Sequence, residues 1–271
     1  MKIFIVSQKS PYPSVDGGCV AIKNQLENLI ELGHDVEFHC ISTFKHPFKI
    51  NAYPEKVLEK AKVVAHKVNI KIKPASALLA LLKNESYNII RFYNMENEKA
   101  IVEAAINFKP DVILFEGLYS TPYLFALKNA FPDCKTILRS HNLEYRIWER
   151  HAQGESSFIK KAYFKILAKQ LKKYELAILP KLNAVECISD KELAFYASAN
   201  PKLILDSIAL GTEFGEKPQH IIKENSFFHL GAMDWEANVY AIKWFLKEVW
   251  IKYIVNNPDA RLYLAGKSIE D

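Results

Sequence analysis

Lys2-Ile3-Phe4-Ile5-Val6-Ser7 is an apolar run of strand length, and Asp16-Gly17-Gly18-Cys19 follows it after a polar, proline-containing turn. A helical pattern starts at once, with Ile22, Leu26, Leu29 and Ile30 on one face, and it stops at Gly33-His34. Asp35 to Cys40 then reads as the next strand. The opening is therefore β-α-β, with two glycines at the head of the helix. Free N–H groups and the positive end of the dipole favour a phosphate there, and glycine lets it approach the backbone. The other reading of Gly17 and Gly18 is a tight turn that needs glycine torsions. No G-x-G-x-x-G follows the first strand and no G-K-[ST] closes the loop, so neither a dinucleotide fingerprint nor a Walker loop is present.

The alternation continues outward from this unit. Val112 to Phe115, Thr136 to Arg139, Ala184 to Ile188 and Leu203 to Leu205 are short apolar runs bounded by turn signals. Helical patterns lie over 97–108, 123–129, 143–179 with a break near Gly154, and 191–198. Between 43 and 75 the chain is basic and irregular; a helix over 54–67, a short helix over 77–83 and a strand over 87–93 are expected. Strands alternating with helices give right-handed crossovers and an α/β fold built on an open parallel sheet, with ligands at the carboxyl ends of the strands. The Gly17-Gly18 loop, Glu116-Gly117 and Arg139-Ser140-His141 all follow strands and should meet at one edge. The organisation expected is a Rossmann-like domain over 1–210, a polar linker over 211–225, and the start of a second domain over 226–271. In the last part 227–231 and 261–266 are strands around an apolar helix over 238–255.

The chain has 271 residues, 49% of them hydrophobic and 25% charged, with a net charge of +5. That excess suits an anionic substrate or surface and is too weak to imply nucleic acid. The four cysteines, Cys19, Cys40, Cys134 and Cys187, are scattered without a C-x-x-C, as expected of reduced thiols in a cytoplasmic protein rather than a zinc site. No apolar run reaches membrane-spanning length, and no signal peptide is read. Over 158–174 six lysines accompany an apolar set comprising Ile159, Tyr163, Ile166, Leu167, Leu171 and Tyr174. Such a helix either lies on anionic lipid or is an ordinary domain helix with a solvated lysine face.

Five motifs stand in order: Gly17-Gly18, Arg139-Ser140-His141-Asn142-Leu143-Glu144, Tyr174-Glu175 ahead of Cys187-Ile188-Ser189-Asp190, Leu210-Gly211-Thr212-Glu213, and Leu230-Gly231 through Asn238. In these the chain resembles GT-B glycosyltransferases, most closely the retaining family four, over essentially all its residues. The resemblance implies an N-terminal acceptor-binding domain and a C-terminal donor domain for a nucleotide-sugar. It implies transfer with retention to a glycan or lipid-linked acceptor, in cell-envelope polysaccharide synthesis, with no metal and no cofactor. Gly17, Gly18, Arg139 and Gly231 would face the donor phosphates, Glu116 and Asn142 the acceptor, and His141 would be the catalytic group. Arg139 has a second reading, an ion pair with Glu116. Glu144 reads as a first-turn helix residue, and Trp235 with Tyr240, Trp244 and Phe245 as domain packing. The later β-α units and E-x7-E pair of the donor half are missing, so the chain reads as truncated and inactive alone. Glu216 and Glu224 have the E-x7-E spacing but precede that domain. The expected partners are the donor, the acceptor, the inner face of an anionic membrane, and a second copy joined through 226–271. The alternatives are a non-catalytic binding or assembly module and, disfavoured by the missing fingerprint, a Rossmann oxidoreductase.

Overall fold

β1 (Lys2–Ser7) is the third strand across a seven-stranded, wholly parallel sheet in the computed structural model, which describes residues 1–209, 211, 224–233, 236–266 and 268. In chain order the elements are α1 (Gly17–Glu31), β2 (Asp35–Ser42), α2 (Glu55–Leu58), β3 (Ala61–Lys67), α3 (Pro74–Leu82), α4 (Tyr87–Ile90), α5 (Met95–Phe108) and β4 (Val112–Glu116). A 3-10 turn (Leu118–Tyr123) leads to α6 (Leu124–Ala130), β5 (Lys135–Ser140), α7 (Glu144–Gly154) and α8 (Phe158–Ile178). Then come β6 (Ala184–Cys187), α9 (Asp190–Ala199) and β7 (Ile204–Ser207). The strand order is β3-β2-β1-β4-β5-β6-β7.

The strands read as continuous apolar runs because both faces of the sheet are covered. Phe4, Val6, Ile113 and Phe115 point to one side, where α5, α6 and α8 bring Ile101, Leu124, Leu127 and Leu171. Ile3, Ile5, Val36 and Phe38 point to the other, against Ile22, Leu26 and Ile30 of α1. Full burial of one such side chain is worth roughly 1.5–3 kcal/mol.

Two expected elements are corrected. The helix over 54–67 is only the single turn α2, and Ala61–Lys67 is the edge strand β3, paired with β2 from Val36↔Ala61 to Ser42↔Lys67. Val63, Val64 and Ala65 suit a pleated surface, and the free edge of β2 supplies the hydrogen bonds that a helix would have made locally. The strand over 87–93 is instead the short helix α4, with Tyr87 packed on Ala77 and Ala80 of α3 and accepting the Lys73 N–H at 2.8 Å. The break at Gly154 is present, but the α8 stripe divides: Leu167 and Leu171 are buried, whereas Ile159 and Ile166 face out.

The chain divides into two compact units, 1–212 and 213–271. In the second, β8 (Ser226–Leu230) pairs in parallel with β9 (Arg261–Ala265). Between them α10 (Glu236–Phe245), a π turn (Leu246–Trp250) and α11 (Ile251–Asn256) run without interruption. Most of the expected linker over 211–225, the 210–213 motif apart from Gly211, and Asp234-Trp235 lie outside the described residues.

Candidate functional site

The strand order reverses between β1 and β4, and in open α/β sheets the binding crevice lies outside the carboxyl ends of the strands at such a switch point. The backbone closes the crevice floor: Gln8 N–H donates to the Glu116 carbonyl and Gly117 N–H to the Arg139 carbonyl, both at 3.0 Å. Gly117 has φ +80, and an added Cβ would lie 2.2 Å from Cδ of Gln8, whose amide oxygen accepts the Tyr119 N–H at 3.3 Å. Gly117→Ala should therefore destabilise the protein by about 1–3 kcal/mol, from left-handed strain plus displacement of Gln8. A urea midpoint equal to that of wild type would refute this.

β4 and β5 end on facing charged groups. Arg139 is buried; its Nε donates to Glu186 Oε1 at 2.6 Å and its Nη1 to the Ala21 carbonyl of α1 at 2.9 Å. The same Nη1 lies 3.6 Å from Glu116 Oε2. His141 Nε2 is 2.8 Å from that Glu116 oxygen. A carboxylate can only accept, so the proton of this bond sits on Nε2 and the other ring nitrogen is left as an acceptor. Among the described residues, His141 Nδ1 and Glu116 Oε1 are buried with no hydrogen-bond partner. Such atoms are rare in folded proteins and mark a place where a polar group belongs.

Gly17 and Gly18 form the first turn of α1, as the loop pattern implies, but the helix end already holds an anion. The Asp16 carboxylate accepts the Cys19 N–H at 2.8 Å and the Lys9 ammonium at 2.6 Å. Burial works against its charge, yet Lys9 and the Cys19 N–H outweigh this and hold Asp16 at about 2. At Gly18 an added Cβ would lie 2.7 Å from Lys9 Nζ, so the lysine end would have to shift. Asp16, Cys19 and His46 have ligand atoms within 4.8 Å of one another, and Lys9 already supplies the positive charge beside that carboxylate.

The remaining expected residues are spread. Asn142 is exposed, and its carbonyl accepts the Ser140 hydroxyl at 3.2 Å. Gly231 belongs to the second unit, where its N–H donates to the Ala265 carbonyl at 2.9 Å and its backbone packs directly on Gly266. At this edge Arg139 donates to Ala21 of α1, the helix that Gly17 and Gly18 open, and lies beside the Glu116–His141 pair that joins the ends of β4 and β5; Arg139 is committed to protein groups.

Sequence reading missed Lys9, Tyr119 and Glu186, and it took Glu175 only as part of the Tyr174-Glu175 motif, without a role. Glu175 of α8 caps α7, accepting the N–H groups of Glu144 and Tyr145 at 3.0 and 3.2 Å. Its burial pushes it to about 8, and burial pushes Glu144, which accepts from the Tyr119 hydroxyl at 3.0 Å, to about 7. α7 starts without a cap of its own, since Leu143 offers no side-chain oxygen.

The seven-stranded parallel sheet with helices on both faces matches the fold of solved GT-B glycosyltransferases. The glycotransferase of kitacinnamycin superposes with a TM-score of 0.52 at 14% identity, covering 99% of this chain and 66% of that one. Medicago truncatula UGT71G1, complexed with UDP-glucose, gives 0.51 at 10% identity, covering 98% of this chain and 71% of that one. A relative from Klebsiella pneumoniae, described as an uncharacterized 44.6 kDa protein in a cps region, is 25% identical over 283 residues. The match takes in 98% of this chain, which spans 65% of that relative's length. No family model matches. No helix among the described residues is long and apolar enough to cross a membrane.

Proposed function

We propose that this chain supplies the acceptor half, and the beginning of the donor half, of a glycosyltransferase that moves a sugar from a nucleotide-sugar to a glycan or lipid-linked acceptor. The observation that carries this reading is the Glu116–His141 pair at the crevice, with one buried atom of each left without a partner. Glu116 holds the imidazole proton on Nε2, so Nδ1 is the atom that receives a hydroxyl of the reacting sugar. The head of α1 supplies positive potential for the departing diphosphate, and its cap on the Asp16 carboxylate is in keeping with that role. Arg139 acts by holding Glu116 in place. Retention, independence of metal and envelope polysaccharide synthesis follow from the family-four resemblance. The cps-region relative is set beside the last of these.

The four free cysteines agree with a reducing cytoplasmic setting. Self-association would use apolar side chains that the second unit exposes, Phe228, Leu230 and Tyr240 among them. The test is nucleoside diphosphate release by the full-length protein from UDP- and GDP-sugars. His141→Ala should lower turnover by roughly 10²–10⁴-fold, and Gly18→Trp, which fills the loop against Lys9, should abolish it. Undiminished turnover in both would remove this site. Absence of both turnover and calorimetric nucleotide binding in the wild type would leave the non-catalytic module.

A further inference from the structure

Residues 86–91 carry polar side chains that the fold buries without giving them partners. As a strand, this stretch would put Asn88 and Arg91 on opposite faces. In α4 the helical torsions run on through Arg91, at φ −67, so the two stand three apart and share one side. Asn88 is 3% exposed, and its Nδ2 has no hydrogen-bond partner among the described residues. Arg91 is half-buried, and its Nε is buried and likewise without a partner. Ser86 Oγ, just before the helix, is a third such atom. Among the described residues no carboxylate pairs with the Arg91 guanidinium. Both orphaned nitrogens are donors.

Unpaired donors under cover cost free energy, and each calls for an acceptor. A water molecule would satisfy the Asn88 amide but would leave the guanidinium charge unanswered. A cation half withdrawn from water and without a counter-ion calls for an anion, and a guanidinium fork suits a phosphate or a carboxylate. The place is tied to the carboxyl edge of the sheet. Arg91 Cζ lies 5.9 Å from the centroid of the Phe92 ring. Phe92 stacks on Tyr119, with centroids 4.8 Å apart and planes at 18°. Tyr119 belongs to the 3-10 turn that follows β4, and its hydroxyl donates to Glu144 at 3.0 Å. One aromatic pair therefore separates Arg91 from the Tyr119–Glu144 hydrogen bond beside the crevice.

We infer that Asn88 and Arg91 form an oxyanion subsite, which takes a phosphate or a carboxylate carried by the sugar acceptor. Arg91 pairs with the charge, and Asn88 Nδ2 donates to one of its oxygens. The subsite thus selects an acidic or phosphorylated acceptor over a neutral one. Only the identity of the ligand as acceptor rests on the transfer reading; the anion site itself does not.

Calorimetry on the whole chain, without nucleotide-sugar, tests the subsite with inorganic phosphate and with glucuronate in turn. The tighter of the two identifies the oxyanion, and its binding should weaken as salt is raised. Arg91→Gln should weaken that binding roughly 10–100-fold, and Asn88→Leu, which removes only the neutral donor, about 2–10-fold. Neither orphaned nitrogen holds a protein group, so both variants should keep the wild-type urea midpoint. Arg91→Lys keeps the charge without the fork and should bind at an intermediate level. Failure of the wild type to bind either anion would overturn the proposal. So would unaltered affinity in Arg91→Gln, which would assign the anion to another basic surface such as the head of α1. Anion binding that Arg91→Gln removes, in a full-length protein that turns over no nucleotide-sugar, would keep the subsite and remove the transfer reading. Turnover of phosphorylated and uronate acceptors that Arg91→Gln leaves unchanged would do the reverse.

Discussion

Replacing Arg139 by alanine is expected to destabilise the first unit by about 3–5 kcal/mol, read as a fall in the urea midpoint. Arg139 stands between two carboxylates, Glu186 at 2.6 Å and Glu116 at 3.6 Å, and also donates to the Ala21 carbonyl at 2.9 Å. Alanine would leave both carboxylates in a buried region with His141 as the nearest compensating group, and would free the Ala21 carbonyl as well. An unpaired buried charge loses far more than the pair itself contributes. Arg139→Lys keeps the charge but not the planar fork that reaches Glu186 and Ala21 together, so an intermediate loss is expected. A loss below about 1 kcal/mol for the alanine variant would show that the network does not hold the crevice.

The second large effect concerns pH. Burial pushes Glu175 from its ordinary 4.5 to about 8, although its bonds to the N–H groups of Tyr145 and Glu144 work the other way; Glu144 and Glu192 nearby add to the rise. Burial likewise pushes Glu144 to about 7, partly offset by the Tyr119 hydroxyl, His141 and Lys9. The folded-state values are raised, so the folded chain keeps protons that the unfolded chain has released above about 4.5. The stability these groups contribute is complete below 4.5 and is lost as pH rises through about 7 for Glu144 and about 8 for Glu175. Within that window each carboxyl lowers stability by about 1.4 kcal/mol per pH unit. Thermal midpoints should therefore fall steeply from about pH 5 to about pH 8. Glu175→Gln keeps an acceptor for α7 without titrating, so its midpoints should fall less and should gain on wild type as pH rises. Parallel curves for the two proteins would refute this assignment.

Asp16 has the opposite sign. Its value of about 2 lies below the ordinary 3.8, so its contribution is present above 3.8 and is lost as pH falls towards 2. The two windows do not overlap, so acid titration of the glycine loop can be followed separately from the α7–α8 carboxyls.

Lys2–Ser7, Val112–Glu116 and Ala184–Cys187 were legible as strands of a parallel sheet because burial on both faces demands an unbroken apolar run, and such runs are short and bounded. The glycine loop was legible because a helix head with Gly17 and Gly18 has few local readings. From these the α/β class and the meeting of three loops at one edge followed. The residues that do the work at that edge were less legible. Glu116 and His141 are 25 positions apart, Arg139 and Glu186 47 apart. Nothing in local spacing says which buried charge answers which. Ala61–Lys67 could be helix or strand by propensity, and the free edge of β2 made it a strand. Glu175 became a cap because α7 starts without one of its own, and packing of α8 brought a carboxylate there. Periodicity and turn chemistry act between neighbours in the chain, so the sequence determined the class and most of the elements, Ala61–Lys67 and Tyr87–Ile90 excepted. The pairing of buried charges is a property of the assembled sheet edge, so only the tertiary structure could assign it.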